Sequence, residues 1–221
     1  MTSPLPTGPL PATIDLGMIL GALDMFGIAV FAASGALAAA AKRQTFVTFT
    51  FFALVTGVGG GTVRDLLIGA PVFWIVNSSV LVVVLAVSGL LWVTPQHWWQ
   101  GRMLDWFDAV GLGAYGVFGA AKAMQFGVDP LPAVMMGVIT GCVGGIIRDV
   151  LAGEPSIILR PELYVTAVAL ASGLFVGLKL AGLESQYAAI IGAVAGFILR
   201  GLAIRYNIAL PAYRGGGRPE D

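Results

Sequence analysis

The chain has 221 residues, 57% of them hydrophobic and only 11% charged, with a mean hydropathy of +0.89. Soluble domains carry roughly 25% charged residues, so this composition excludes an ordinary soluble domain and points to an all-α integral membrane protein. Twelve Lys and Arg balance twelve Asp and Glu, giving no electrostatic reason for a nucleic-acid partner, and one cysteine, Cys142, excludes an intrachain disulfide.

Met1 to Ala12 is Pro-rich and lacks Lys and Arg, so it reads as a short extramembrane tail rather than a cleaved signal. Spanning takes about 20 apolar residues. Seven segments are predicted: 16–41, 46–68, 72–93, 104–125, 131–152, 163–180 and 187–204. They form a single transmembrane domain over 1–221, and a tail at 211–221 reads as disordered.

The second and fifth segments carry one element twice. Thr56-Gly-Val-Gly-Gly-Gly-Thr-Val-Arg-Asp65 returns 84 residues later as Thr140-Gly-Cys-Val-Gly-Gly-Ile-Ile-Arg-Asp149. Leu23-Asp24-Met-Phe26 matches Leu104-Asp105-Trp-Phe107 at an offset of 81, and Ser88-Gly-Leu90 matches Ser172-Gly-Leu174 at 84. Repeat 1 thus covers about 16–93 and repeat 2 about 104–181, with a seventh helix at about 187–204. Three spans is an odd number, so the second copy enters the bilayer from the opposite side. Such inverted repeats commonly place a substrate or ion site near the midplane, between interrupted helices.

Setting aside Arg64 and Arg148, eight Lys and Arg fall on one side of the bilayer and two on the other. That bias places the N-terminus outside and the C-terminus in the cytoplasm. Trp92, Trp98, Trp99 and Trp106 gather at the third connection as an interfacial aromatic belt would, and His97 among them reads as a solvated surface group. Cys142 reads as a small buried thiol.

Gly57 and Gly61, like Gly141 and Gly145, are spaced i, i+4 and bare one helix face for close approach. Gly60 and Gly144 stand one turn before Arg64 and Arg148. Adjacent glycines weaken a helix by about 1 kcal/mol each relative to alanine, so a kink or break is expected at each motif. Freed carbonyls there, with hydroxyls from Thr56, Thr62, Thr140, Ser88 and Ser172, would suit a dehydrating alkali cation. Arg64 and Asp65, like Arg148 and Asp149, project about 100° apart on one helix and are expected to seek partners elsewhere. Depth suggests Asp24–Arg64 and Asp105–Arg148, one lock at each end of a pathway; a static structural pair is the competing reading. The glycine run has neither the βαβ context of a dinucleotide fold nor the Gly-Lys-Ser/Thr ending of a P-loop. With one His and one Cys, no metal-ligand spacing or nucleophile–base set is present, so no enzyme is expected.

Together, Leu23-Asp24, Phe31-Ala-Ala-Ser34-Gly35-Ala-Leu37 and the two glycine-Arg-Asp motifs resemble the prokaryotic branch of the TRIC family, the trimeric intracellular cation channels. The resemblance covers the first six segments. It implies seven helices per subunit, a homotrimer in the bacterial inner membrane, and one K⁺-permeable pore per protomer lined by kinked second and fifth helices. Carried over, the pore positions are Gly57, Gly60, Gly61, Gly141, Gly144 and Gly145; the residues themselves add Thr56 and Thr140 beside the motifs and the charges Asp24, Arg64, Asp65, Asp105, Arg148 and Asp149 to the candidate set. No cofactor is implied beyond the permeant cation and bound membrane lipid. Animal members carry a basic lipid-binding motif where this chain has Gly141-Cys-Val-Gly-Gly, so phosphoinositide or calcium control does not transfer. Some bacterial members are associated with glycine uptake, which keeps a small amino-acid carrier as the alternative and a trimeric scaffold behind it. The seventh helix is a candidate brace or oligomer contact.

Overall fold

A computed structural model describes residues 16–99 and 102–211; the N-terminal tail and all but the first residue of the 211–221 tail lie outside the described residues, as does the side chain of His97. In chain order the helices are α1 (Leu16–Ala41), α2 (Phe46–Leu67), α3 (Phe73–Val76), α4 (Ser79–Val93), α5 (Met103–Gln125), α6 (Pro130–Ala152), α7 (Val165–Leu180) and α8 (Ser185–Tyr206). Two 3₁₀ turns, Gln96–Trp99 and Ile157–Leu159, punctuate the connections. Among the described residues there is no strand, only an isolated bridge between Glu162 and Ala209. Four helices are long and apolar enough by composition to cross a membrane: α1 from Asp24, α2, α6 and α8. The α4 and α7 helices are shorter apolar ones, and α5 carries Asp105, Asp108 and Lys122.

The third predicted segment is divided. Asn77 is extended, and its Oδ1 accepts from the Ser79 amide at 3.0 Å, so the Asn77-Ser78-Ser79 trio ends α3 and starts α4. Polar side chains that bond their own backbone favour such a break. Its counterpart 84 residues on is the turn Ile157–Leu159 before α7. Among the described residues, the four-residue α3 thus stands in addition to one α-helix for each of the seven predicted segments.

The core repeats with the sequence. In repeat 1, α1, α2 and α4 pack together; in repeat 2, α5, α6 and α7 do the same. The halves join through α1 on α5 and α2 on α6. At the first junction the buried rings of Phe31 and Tyr115, 84 positions apart, stack at 5.3 Å and 19°. Each fits over a glycine of the other half: a Cβ on Gly27 would meet Tyr115 at 2.8 Å, and one on Gly111 would meet Phe31 at 2.8 Å. When residue i touches j and their counterparts touch in return, a two-fold relation holds. The match at 81 for the first helix is therefore corrected to 84: Asp24 corresponds to Asp108, and Gly35 to Gly119. Both of these glycines face the equivalent hydroxyl, Thr56 Oγ1 (2.5 Å from an added Cβ) or Thr140 Oγ1. The α8 helix lies outside the symmetry and packs on α7 and α5, as a brace.

Candidate functional site

The doubled motif lies where α2 and α6 cross. A Cβ added to Gly60 would run into the carbonyl oxygen of Thr140, and one added to Gly144 into that of Thr56. The helices touch backbone to backbone, which only glycine permits on both sides. Both remain helical without interruption through their motifs, so the expected break is not present. Each helix keeps its own hydrogen-bond ladder, and the glycines act by close approach rather than by freeing carbonyls. Gly57 and Gly141 sit under the facing helices, where an added Cβ would lie 3.2 Å from the Ile28 carbonyl oxygen or 3.1 Å from Val168, and the Gly57 carbonyl accepts from Tyr115 Oη at 3.2 Å. Gly61 and Gly145 make room for Phe73 and the Tyr164 hydroxyl.

Most hydroxyls near the crossing bond their own helices. Thr140 donates to Met136 O at 2.6 Å, Thr62 to Val58 O at 2.7 Å, Ser88 to Val84 O at 2.8 Å and Ser172 to Val168 O at 2.9 Å. Thr56 Oγ1 is buried and has no partner.

Beyond the crossing on either side lies a buried charge cluster. Arg148, 2% exposed, donates from Nη1 to both carboxylate oxygens of Asp108 at 2.7 Å and closely to Ser34 Oγ. Its Nε and Nη2 donate to Asp149 Oδ1 at 2.9 and 2.7 Å. Ser34 in turn donates to Asp108 at 2.7 Å. The second oxygen of Asp149 accepts from the Ile157 amide at 2.7 Å, holding the turn before α7. A cavity of about 210 Å³, lined by Lys42, Asp105, Arg148, Asp149, Glu154 and Arg160 among others, opens beside this cluster.

The other cluster is built differently. Arg64, fully buried, donates from Nε to Asp65 Oδ1 at 2.8 Å. Its Nη2 lies 2.8 Å from the same oxygen, an ion-pair contact whose angle is too poor for a hydrogen bond. Lys122 adds a third cationic contact to that oxygen at 2.8 Å, and Asp65 Oδ2 accepts from the Phe73 amide at 3.1 Å. The guanidinium lies 4.9 Å from the Phe118 ring centre and 5.9 Å from that of Phe73. Its Nη1 has no acceptor, and Oδ1 of Asp24 has no donor.

Three expectations are corrected here. Consecutive Arg and Asp do pair on one helix, in both repeats, because the arginine stem is long enough to curl back along the cylinder. Asp105 does not hold Arg148; it pairs with Arg102 at 3.1 Å, and Asp108, one turn on, takes the role. Asp24 and Arg64 make no direct bond: Asp24 Oδ1 and Arg64 Nη1 are both without partners. Sequence reasoning missed Asp108, Ser34, Lys122 and Phe118. A constant offset of 84 would have paired Asp108 with Asp24. Ser34 stands in the string that carries the family resemblance but without a role there, and no signal marks Phe118 or Lys122, which stand opposite Ser34 and Ala38.

Fold and site together define a helical membrane protein made of two inverted repeats meeting at a glycine crossing flanked by buried charges. A family described as "Glycine transporter" matches residues 21–96 and again 105–180, the same offset of 84. The UPF0126 membrane protein of Vibrio cholerae serotype O1 is 42% identical over 202 residues, 88% of this chain and 83% of its own. The inner membrane protein YadS of Escherichia coli K12 is 39% identical over 202 residues, 89% of this chain and 97% of its own. Among solved structures, the TRIC trimeric intracellular cation channel orthologue from Rhodobacter sphaeroides is 38% identical, covering 86% of this chain and 99% of that one at a TM-score of 0.81. A second TRIC cation channel is 28% identical over 90% of this chain and 98% of its own, at 0.80. The chain belongs to this family, the prokaryotic TRIC proteins.

Proposed function

We propose that the protein is a monovalent cation channel, permeable to K⁺, with one path per protomer of a homotrimer. The carrying observation is the symmetric α2–α6 crossing between two buried charge clusters, in a chain that matches solved cation channels almost from end to end. The path runs between the repeats, and the backbone contact at Gly60 and Gly144 is its closed waist. Asp108 and Asp149 against Arg148 leave one cluster with a net negative charge, which favours a cation over an anion. Asp24, Asp65, Arg64 and Lys122 balance on the other side. Opening parts α2 from α6 and exchanges the partners of the two arginines. The Lys/Arg bias orients the protein with its N-terminus outside and its C-terminus in the cytoplasm of the inner membrane.

One observation favours the carrier reading. Arg64 Nη1 and Asp24 Oδ1 are both buried and unpartnered, a cation and an anion that a small zwitterion would bridge. Purified protein in liposomes separates the two. Unitary K⁺ conductance in a planar bilayer supports the channel, and saturable counterflow of labelled glycine without conductance supports the carrier. Neither activity leaves the scaffold.

A further inference from the structure

Away from the crossing, a cleft of about 560 Å³ opens between the end of α1, the start of α2, the end of α4 and the turn before α5. Its walls include Leu37, Phe49, Leu91, Trp92, Trp99 and Leu104, and Arg43 and Gln44 stand at its mouth. The aromatic walls are held in place. Trp92 packs edge-on to Phe46 and Phe49 at 5.3 and 5.5 Å, and Trp99 Nε1 donates to Thr94 Oγ1 at 2.7 Å.

The second repeat shows what such a surface needs. The counterpart of Leu91, itself largely buried at 7% exposure, is Phe175, which is fully buried with α8 packed across it. A Cβ on Gly192 would sit 3.4 Å from Phe175 Cβ, and Ala188 and Ala189 nearby are fully buried. In the first repeat the chain passes from α4 into α5 through the 3₁₀ turn Gln96–Trp99, and among the described residues no α-helix covers this surface.

We propose that an anionic phospholipid occupies this cleft, one acyl chain taking the place that α8 fills in the other half and its phosphate meeting Arg43. Lys42 is engaged with Glu154 at 2.6 Å, whereas Arg43 makes no ion pair among the described residues. Arg43 is fixed at φ 52, a left-handed conformation that non-glycine residues adopt uncommonly. Tryptophans at the same level mark a membrane interface. The Lys/Arg bias puts this loop at the cytoplasmic leaflet, where anionic lipids attract basic side chains.

The test uses full-length protein in mild detergent, titrated with phosphatidylglycerol, phosphatidylcholine and inorganic phosphate, with bound lipid counted by native mass spectrometry. Phosphatidylglycerol is expected to bind about fivefold more tightly than phosphatidylcholine, the factor one basic residue contributes near an anionic surface. Arg43→Gln should abolish that preference. Ala41→Trp, at an exposed position on the cleft wall, should remove both lipids while circular dichroism stays unchanged. Equal binding of the two lipids by the unaltered protein, an Arg43→Gln variant that keeps the preference, or displacement of phosphatidylglycerol by inorganic phosphate would overturn the proposal. So would efficient cross-linking of Ala41→Cys to a second copy in native membranes, which would make the cleft an interface between subunits.

Discussion

Gly60 and Gly144 have no room for a methyl group, because the atom in the way is a backbone carbonyl that cannot rotate aside. Gly89 and Gly173, counterparts of each other in α4 and α7, have nothing within 4 Å of an added Cβ. Gly60→Ala and Gly144→Ala are therefore expected to cost about 1–3 kcal/mol through overpacking. Gly89→Ala and Gly173→Ala should be neutral or gain up to about 1 kcal/mol from helix propensity. Thermal unfolding in detergent compares the four, and equal midpoints would remove the crossing from the argument. A second contrast comes from the acids. Asp108 holds a buried arginine with both oxygens, whereas Asp24 Oδ1 holds nothing. Asp108→Asn should destabilise by about 3–5 kcal/mol, the usual cost of breaking a buried ion pair, and Asp24→Asn by much less. The same measurement reads both. Asp108 was hidden in the sequence because Leu-Asp-x-Phe at an offset of 81 is a closer local match than the aspartate at 84. The glycine pairs Gly27/Gly111 and Gly35/Gly119, which keep 84, carried the better register. The Arg-Asp pairing was missed for another reason: directions of Cβ on a helix say little about where a long, flexible side chain ends.

Each motif helix also positions the segment that follows it. Asp65 reaches forward to the Phe73 amide and Asp149 to the Ile157 amide, so one carboxylate neutralises an arginine and caps the next short element. Helix existence was legible from hydropathy, and six of seven predicted segments stand close to their expected bounds. The division of the third was not, because the run from Val72 to Val93 stays apolar on both sides of Asn77-Ser78-Ser79. Unbroken motif helices were equally out of reach, since adjacent glycines signal close packing and breakage alike. Between elements, Lys42 after α1 grips Glu154 after α6 and ties the two repeats at an exposed end. The hydrogen bond and charge of Lys42 hold the Glu154 carboxyl below its ordinary range. A lowered acid pKa stabilises the folded state above the unfolded pKa and loses that contribution as pH falls through the folded one. Glu154→Gln should thus lower the unfolding midpoint slightly near neutral pH. Its difference from the unaltered protein should close as the medium is acidified below the range of a free carboxyl. A difference that persists at low pH would show the pair is not its source.

At the scale of the whole molecule, the repeat and most of the buried charges were readable from one repeated string, while Asp108, Ser34, Lys122 and Phe118, which complete the two clusters, were not. The repeats share a backbone plan yet differ where function is proposed: Ser34 opposite Phe118, Ala38 opposite Lys122. Along the outer face of α8, Ile190, Val194 and Ile198 are exposed at successive turns, a strip suited to lipid or to a neighbouring subunit. If the trimer holds, light scattering of the detergent-solubilised particle should give three chains of 22.9 kDa after subtraction of the micelle; a one-chain mass would withdraw it.

The reciprocal crossing also bears on origin. One sequence, made once, suffices to form both Gly60 over Thr140 and Gly144 over Thr56, provided two copies face opposite ways. A half-length ancestor inserting into the bilayer in either direction would have assembled as an antiparallel homodimer with this contact already complete. Within one chain the two copies are free to differ, and Lys122 and Phe118, opposite Ala38 and Ser34, are differences that a dimer of identical halves could not carry on one side alone.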